Sequence, residues 1–292
     1  MEARRLDPQF LRKLERFEIV PRGIHRGGQI GHRRSTSRGT GLEFADHKEY
    51  AAGDDLRYLD WNLYARLEEL FIKIFEQDEA LPIHILLDRS GSMQVGSPSK
   101  AAFGARIASA LAYVGLANQD HVRLLFLADG LVSGTRTFAG KTHIYEIAEA
   151  LDAPPEGTTD LREALEAFSK ETRLPGVVFV LSDFLDPGGV IDGMRLLVSR
   201  KFGVYAFHLL APEEISPELS GDSELRDIET GDTLHVPLRR DLVRRYEVFF
   251  RAHCDALRAD LQRYGARYLR LATDQPLDEV LFSRFPKEGV FR

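Results

Sequence analysis

The sequence predicts an α/β protein: a doubly wound, mostly parallel six-stranded sheet with an N-terminal extension and an inserted β-hairpin. Two observations lead there. From residue 81 onward, short apolar, β-rich runs alternate with stretches of helical spacing, the pattern of strands joined by crossover helices that cover both faces of a sheet. The chain of 292 residues is also long enough for one sizeable core plus an appendage without disulfide support. Its single cysteine, Cys254, excludes an intrachain disulfide framework and suits a reducing compartment.

Taken in order, residues 8–18 have helical spacing, with Phe10, Leu11, Leu14 and Phe17 on one side. Residues 23–40, rich in Gly, Arg and Ser, read as an irregular loop, and 71–75 as a strand leading toward the apolar run 81–87. Ser97 followed by Pro98 reads as the start of a helix that carries Phe103, Ile107, Leu111 and Val114 on one face. Residues 121–128 form the second sheet strand and 132–138 a short edge strand, followed by helices at 144–151 and 161–168. Strand, helix, strand follow at 176–181, 190–198 and 202–210. The alternation then breaks. Residues 224–229 and 233–236, separated by Thr230-Gly231-Asp232, read as a hairpin within an insertion at about 222–237. A long helix follows with Leu242, Tyr246, Phe249, Phe250, His253, Leu257, Leu261 and Tyr264 as its apolar stripe, on which His253 and Cys254 read as core residues. A last strand at 267–271 and a closing helix at 277–282 complete the domain. The boundary is placed between residues 1–77, an N-terminal helix, basic loop and motif-dense segment packed on the main domain, and residues 78–292.

Chemistry concentrates at strand ends. The run 81–87 leads directly into Asp88-Arg89-Ser90-Gly91-Ser92-Met93, which puts one carboxylate and two hydroxyls on a tight turn. Gly157-Thr158-Thr159-Asp160-Leu161 precedes a helical pattern, and the strand 177–181 runs into Ser182-Asp183. Oxygen-only donors suit Mg²⁺ or Mn²⁺ rather than zinc, and Mg²⁺ keeps several waters beside one or two protein carboxylates. In a doubly wound sheet, ligands sit beyond the carboxyl ends of the strands where strand order reverses, so Asp88 and Asp183 can converge there. An isolated Asp-x-Ser-x-Ser after a strand is ordinary helix-capping chemistry; three such segments in this order form a pattern.

Together the three segments resemble the metal-ion-dependent adhesion site of the von Willebrand factor type A domain, a Rossmann-type fold that the sheet pattern matches over roughly residues 78–285. Matched residue by residue, the resemblance implies Asp88, Ser90, Ser92, Thr159 and Asp183 as metal-site residues. Thr159 is preferred to Thr158 because the family usually writes this loop Gly-Gly-Thr-Asp-Leu, which aligns Thr158 with the second glycine. The run Gly-Leu-Glu-Phe-Ala-Asp-x-x-Glu-Tyr-x-x-Gly-Asp-Asp-Leu-Arg-x-x-Asp-Trp-Asn-x-x-Ala-Arg, from Gly41 to Arg66, is similar to the signature of the bacterial family called domain of unknown function 58. That resemblance brings no established activity. It implies a von Willebrand A-like module that tends to accompany MoxR-type AAA+ ATPases in assembling or maturing other proteins, while the metal-site reading adds Mg²⁺ or Mn²⁺ as cofactor and a partner that offers an acidic residue.

Other function classes fit less well. The net charge of −6 is uneven, since residues 1–40 carry ten Lys/Arg against four Asp/Glu and the remainder 29 against 41, but interspersed acids and few aromatics argue against nucleic-acid binding by the basic arm. No apolar run reaches the roughly 18 residues that cross a bilayer, and no signal-peptide pattern opens the chain, so the expected location is cytoplasmic. Gly221-Asp222-Ser223 superficially resembles the Gly-Asp-Ser-Leu hydrolases but lies in a late turn without their downstream Asp-x-x-His. A metal-dependent phosphodiesterase or nuclease using Asp88, Asp160 and Asp183 is the alternative; neutral hydroxyls at Ser90, Ser92 and Thr159 favour a non-enzymatic site over it. Gly53-Asp54-Asp55 reads as turn chemistry and Trp61 as a packing anchor.

Overall fold

The structure, a computed structural model, describes residues 7–21, 25–26, 29–30, 34–35, 43–78, 80–128, 131–152, 157–158, 160–186, 189–217, 221–226, 233–238 and 240–292. Its contacts form two compact units, Met1–Gly31 with Leu81–Arg292, and His32–Ala80. The N-terminal helix groups with the large unit.

The large unit is built on six strands: β1 (Pro82–Asp88), β2 (His121–Ala128), β3 (Leu131–Gly134), β4 (Val177–Ser182), β5 (Gly203–Leu210) and β6 (Arg267–Ala272). They lie in the order β6-β5-β4-β1-β2-β3, all parallel except the edge strand β3, which runs antiparallel to β2. Parallel strands buried on both faces are continuous apolar runs, and every residue of β4 and β5 is buried. Alternation divides them between two cores. Ile83, Ile85, Leu87, Phe179 and Leu181 face one, and Leu86, Val178 and Val180 the other.

The first core is covered by α1 (Pro8–Leu14), α2 (Lys100–Ala117), α3 (Ile144–Leu151) and the C-terminal segment. The second is covered by α4 (Leu161–Glu171), α5 (Val190–Ser199) and α6 (Arg240–Arg263). Helix α2 is apolar nearly all round because it is packed on both sides, and Gly104 lets it approach the sheet: a Cβ there would lie 2.8 Å from Leu209. The N-terminal segment seals its outer side. Tyr113 donates to Glu15 at 2.7 Å, Asn118 donates to the Phe17 carbonyl at 2.9 Å, and Glu18 exchanges backbone hydrogen bonds with Arg292.

Several local expectations shift. The N-cap of α2 is Ser99, whose hydroxyl accepts from the Ala102 N–H at 3.2 Å, not Ser97. On α6 the buried stripe is Phe250, Cys254, Leu257 and Leu261, while His253 is exposed and Phe249 is 70% exposed. The hairpin pairs Gly221–Arg226 with Thr233–Leu238, starting earlier than expected, and its turn lies outside the described residues. The closing helix is interrupted by a π-turn at Val280–Arg284. Of the loop expected at 23–40, most lies outside the described residues.

In the small unit Phe71–Asp78 pairs antiparallel with Glu43–Glu49 across a bulge, so the strand expected at 71–75 forms, but in its own sheet. Three acidic residues of the signature, Asp54, Asp55 and Asp60, stabilise local turns and a helix start. Asp54 accepts from the Ala51 N–H and Lys48, and Asp55 caps the turn Leu56–Tyr58. Asp60 caps Trp61–Leu67 and accepts from His47 at 2.8 Å; that bond above all holds its carboxyl down to about 2. Trp61 is not a packing anchor: at the first position of its helix it points outward, 66% exposed.

Burial of His84 on β1 leads to a prediction. Its ring lies edge-on to Phe168 and Phe202, is 8% exposed, and neither ring nitrogen has a partner among the described residues. Burial, followed by the charge of Arg123, lowers its pKa to about 4. A histidine whose pKa falls on folding contributes fully above its unfolded value near 6.5 and destabilises progressively as pH falls toward 4, because the unfolded chain takes up the proton first. His84→Leu should therefore shrink the stability difference between pH 7 and pH 5 by about 2 kcal/mol, measured by urea unfolding at both pH values.

Candidate functional site

Strand β1 delivers Asp88 and strand β4 delivers Ser182 and Asp183 to the same carboxyl edge of the sheet, at the point where the chain leaves β1 toward β2 on one side and returns as β4 on the other. Asp88 is buried and fully engaged: one oxygen accepts from the Ser90 N–H at 2.8 Å and the other from the Ser182 hydroxyl at 2.6 Å. Ser90 and Ser92 share a hydroxyl–hydroxyl bond of 3.0 Å, and Ser92 donates to Asp183 at 2.7 Å. Four of the five sequence-derived site residues are thus joined by one run of hydrogen bonds, its first link made by the Ser90 backbone N–H. The fifth, Thr159, lies outside the described residues, although its loop reaches the turn, since the Gly91 N–H donates to the Gly157 carbonyl at 3.1 Å.

The surrounding backbone fixes these atoms. Residues Gly91–Gln94 form one 3-10 turn, and Arg89 stacks 3.6 Å over Phe126 while donating to the Ala150 carbonyl. Buried Phe184, directly after Asp183, adopts φ 49, a left-handed conformation that an aromatic residue rarely takes; its N–H donates to the Ser182 hydroxyl. Ser182 therefore connects Asp88 to the strained turn that aims Asp183. Burial above all, and then the negative charge of Asp183, push the Asp88 carboxyl up to about 6 against the lowering effect of its hydrogen bonds from Ser182 and Ser90.

Sequence reasoning missed two members. Lys100, at the first position of α2 and 0% exposed, donates to Asp183 at 2.7 Å and to Glu214, which lies on the short helix Pro212–Ile215 after β5. Glu214 is held in turn by the Ala211 N–H at 2.8 Å. A lysine in the first turn of a helix faces the positive end of the macrodipole, and that anomaly was the available signal. Asp160, in contrast, caps α4 by accepting from the Glu163 N–H at 2.9 Å and is exposed, so its carboxylate is occupied with helix termination.

Among the described residues no three His, Cys, Asp or Glu side chains gather as a ligand set. The candidate centre has two carboxylates, Asp88 and Asp183, with hydroxyls supplying its remaining oxygens. That donor chemistry fits a hard divalent cation that retains waters. Charge fits as well: Asp183 and Glu214 share the Lys100 ammonium and Asp88 lies beside Asp183, so the three acids with every one ionised outnumber the one cation.

Comparison with known proteins follows the same outline. A family model described as "Protein of unknown function DUF58" matches residues 46–255. The uncharacterized protein Rv1480 of Mycobacterium tuberculosis is 24% identical over 279 residues, 92% of this chain and 86% of its own length. The uncharacterized protein MAV169 of Mycobacterium avium is 29% identical over 154 residues, 51% of this chain and 89% of its own. Among solved structures, the conserved hypothetical protein BatB from Bacteroides thetaiotaomicron has a TM-score of 0.47 at 15% identity, covering 72% of this chain and 97% of that one. An aerotolerance-related membrane protein from Bacteroides fragilis has a TM-score of 0.49 at 17% identity, covering 72% and 98%. The strand order and two helix layers described above form the doubly wound, mostly parallel six-stranded sheet that the sequence predicts. Among the described residues no helix is long and apolar enough to cross a membrane.

Removing the Ser182 hydroxyl leaves a buried Asp88 oxygen without its donor. Ser182→Ala should cost about 1.5–3 kcal/mol in urea unfolding in the presence of chelator, the range for a hydrogen bond to a charged group. Ser199→Ala, which removes an exposed hydroxyl bonded to the Leu196 carbonyl, should change stability by less than about 0.5 kcal/mol.

Proposed function

The chain belongs to the DUF58 family, whose description states no activity, and we propose from its site that it is a non-enzymatic protein-interaction module that captures an acidic side chain of a partner through a divalent cation. The observation that carries this reading is the run of hydrogen bonds from Asp88 through the Ser90 N–H and the Ser90 and Ser92 hydroxyls to Asp183 at the carboxyl edge of the sheet. Asp88, Ser90, Ser92 and Asp183 would hold Mg²⁺ or Mn²⁺, with Thr159 as the fifth residue that the family resemblance adds. A cation held by two carboxylates and neutral hydroxyls would supply an electrophilic position for an external carboxylate.

The protein's own contribution is positional. Ser182 and the Ser90 N–H fix Asp88, Ser92 spans to Asp183, and the turn at Phe184 keeps the second carboxylate in place. The Ser92 hydroxyl donates to Asp183, but the same carboxylate oxygen accepts from the Lys100 ammonium, which weakens it as a base and supports binding over turnover. The leading partner is a MoxR-type AAA+ ATPase, a choice supported by the family resemblance of the Gly41 to Arg66 signature, with a place in assembly or maturation of other proteins.

Two outcomes test the reading. A ligand bound only by the folded chain stabilises it by about 2.7 kcal/mol at a hundredfold excess over Kd, so millimolar Mg²⁺ or Mn²⁺ should raise the melting temperature of the wild type and not that of Asp88→Ala. In pull-downs from native lysate, Ser90→Ala and chelator should each lower retention of the ATPase on the order of tenfold, with circular dichroism unchanged. Equal retention in all three samples would sink the cation-dependent reading.

The purified protein should also leave single-stranded DNA, RNA and model phosphodiesters intact in Mg²⁺ or Mn²⁺. Metal-dependent cleavage that disappears in both Asp88→Ala and Asp183→Ala would instead establish a phosphodiesterase or nuclease.

A further inference from the structure

The Lys100 ammonium touches the same Asp183 oxygen that accepts from Ser92, at 2.7 Å in each case, and its second partner is Glu214. Ser92 and Asp183 both belong to the proposed cation site, so a fully buried positive charge is fixed against one of its ligating carboxylates. Such a placement works against two electrostatic preferences. The lysine sits where the helix macrodipole disfavours a cation, and it is withdrawn from water completely. Its two carboxylate partners compensate both costs, and they arrive from separate strands, Asp183 after β4 and Glu214 after β5.

We propose that Lys100 is a tethered counter-charge that shares Asp183 with the incoming divalent cation, so that Lys100 and Glu214 set how tightly the site holds Mg²⁺ or Mn²⁺. This rests on the cation-dependent reading above and names the residues that tune it. Lys100 lowers the affinity of the site by repulsion and by occupying an oxygen of Asp183. Glu214 opposes it by drawing the ammonium's charge toward the end of β5. In a protein interior, removing one such like charge beside a bound cation is worth at least about tenfold in affinity.

The test is direct Mn²⁺ binding to the full chain, read from the loss of the free-ion electron paramagnetic resonance signal, without any partner. Four proteins are compared: wild type, Lys100→Gln, Glu214→Gln and the double variant, each shown folded by circular dichroism in chelator. Glutamine keeps an N–H donor for Asp183 while removing the charge. Lys100→Gln should bind Mn²⁺ at least about tenfold more tightly than wild type. Glu214→Gln should bind more weakly, and in the Lys100→Gln background the same change should have little effect, because Glu214 acts through the ammonium.

Equal Kd values for wild type and Lys100→Gln overturn this inference and leave the cation site standing. Binding by Lys100→Gln alone supports the counter-charge and overturns cation dependence of the native protein. No binding by any folded variant overturns both. If Lys100→Gln does not fold, Glu214→Gln decides: weaker binding supports the proposal, and unchanged binding overturns it.

Discussion

Two carboxylates are buried beside each other at the carboxyl edge of the central sheet, and the surrounding structure is organised to keep them there. Asp88 and Asp183 end adjacent parallel strands, so the backbone registers that pair β1 with β4 also force their charges together. Burying such a pair is costly unless each oxygen is hydrogen-bonded and the charge compensated. The compensation comes from three directions: Ser90 and Ser92 from the turn after β1, Ser182 from β4, and Lys100 from the start of α2. Helix α2 cannot shift without moving the ammonium, and its position is set by Gly104 against the sheet and by the N-terminal segment on its outer side. The packing of the first core and the electrostatics of the site are therefore one problem with one solution.

Much of this was legible in the sequence because it depends on strand ends. Continuous apolar runs locate β1 and β4, and the residues that follow them, Asp88 and Asp183, are placed by the fold class alone. Lys100 and Glu214 were not legible in the same way. Lys100 lies 83 residues from Asp183 and 114 from Glu214, so no local pattern records the meeting of lysine with carboxylates. A side chain as long and flexible as lysine also reads as solvated by default, and only its position in the first turn argued otherwise. Thr159 remains a reading of resemblance, since it falls outside the described residues.

The misplaced details have physical causes as well. Helical periodicity identified α6, but its burial begins only where the helix lies over the sheet: Phe250, Cys254, Leu257 and Leu261 are covered, and Phe249 is not. Periodicity specifies a face and cannot specify how far along the helix that face has something to pack on. Trp61 illustrates the same limit. It is flanked by Leu59, which is buried, and Leu63, which is half-buried, yet Trp61 itself is exposed, because the cap at Asp60 starts a helix whose first residue points away. In both cases the sequence pattern located the element, and the surface presented by neighbouring elements decided which side chains it hides.

The saturation of the site by its own hydrogen bonds bears on where selectivity can arise. Asp88, Ser90 and Asp183 are buried and their oxygens are engaged within the protein, whereas Ser92 is partly exposed and Gly157 and Thr158 beside the turn are exposed. A ligand reaching this edge meets Ser92 and the 157–158 loop first, with the two carboxylates behind them. The buried layer is over-determined by strand register, the Phe184 turn and the Lys100 contact, so it offers little freedom for adapting to different ligands. Under the proposed function, discrimination between partners would fall to the exposed rim, where side chains can differ without leaving a buried charge unpaired. Under that same function, the buried oxygens and the ammonium would fix the strength of the central contact, and the loops around it would select what is allowed to make that contact.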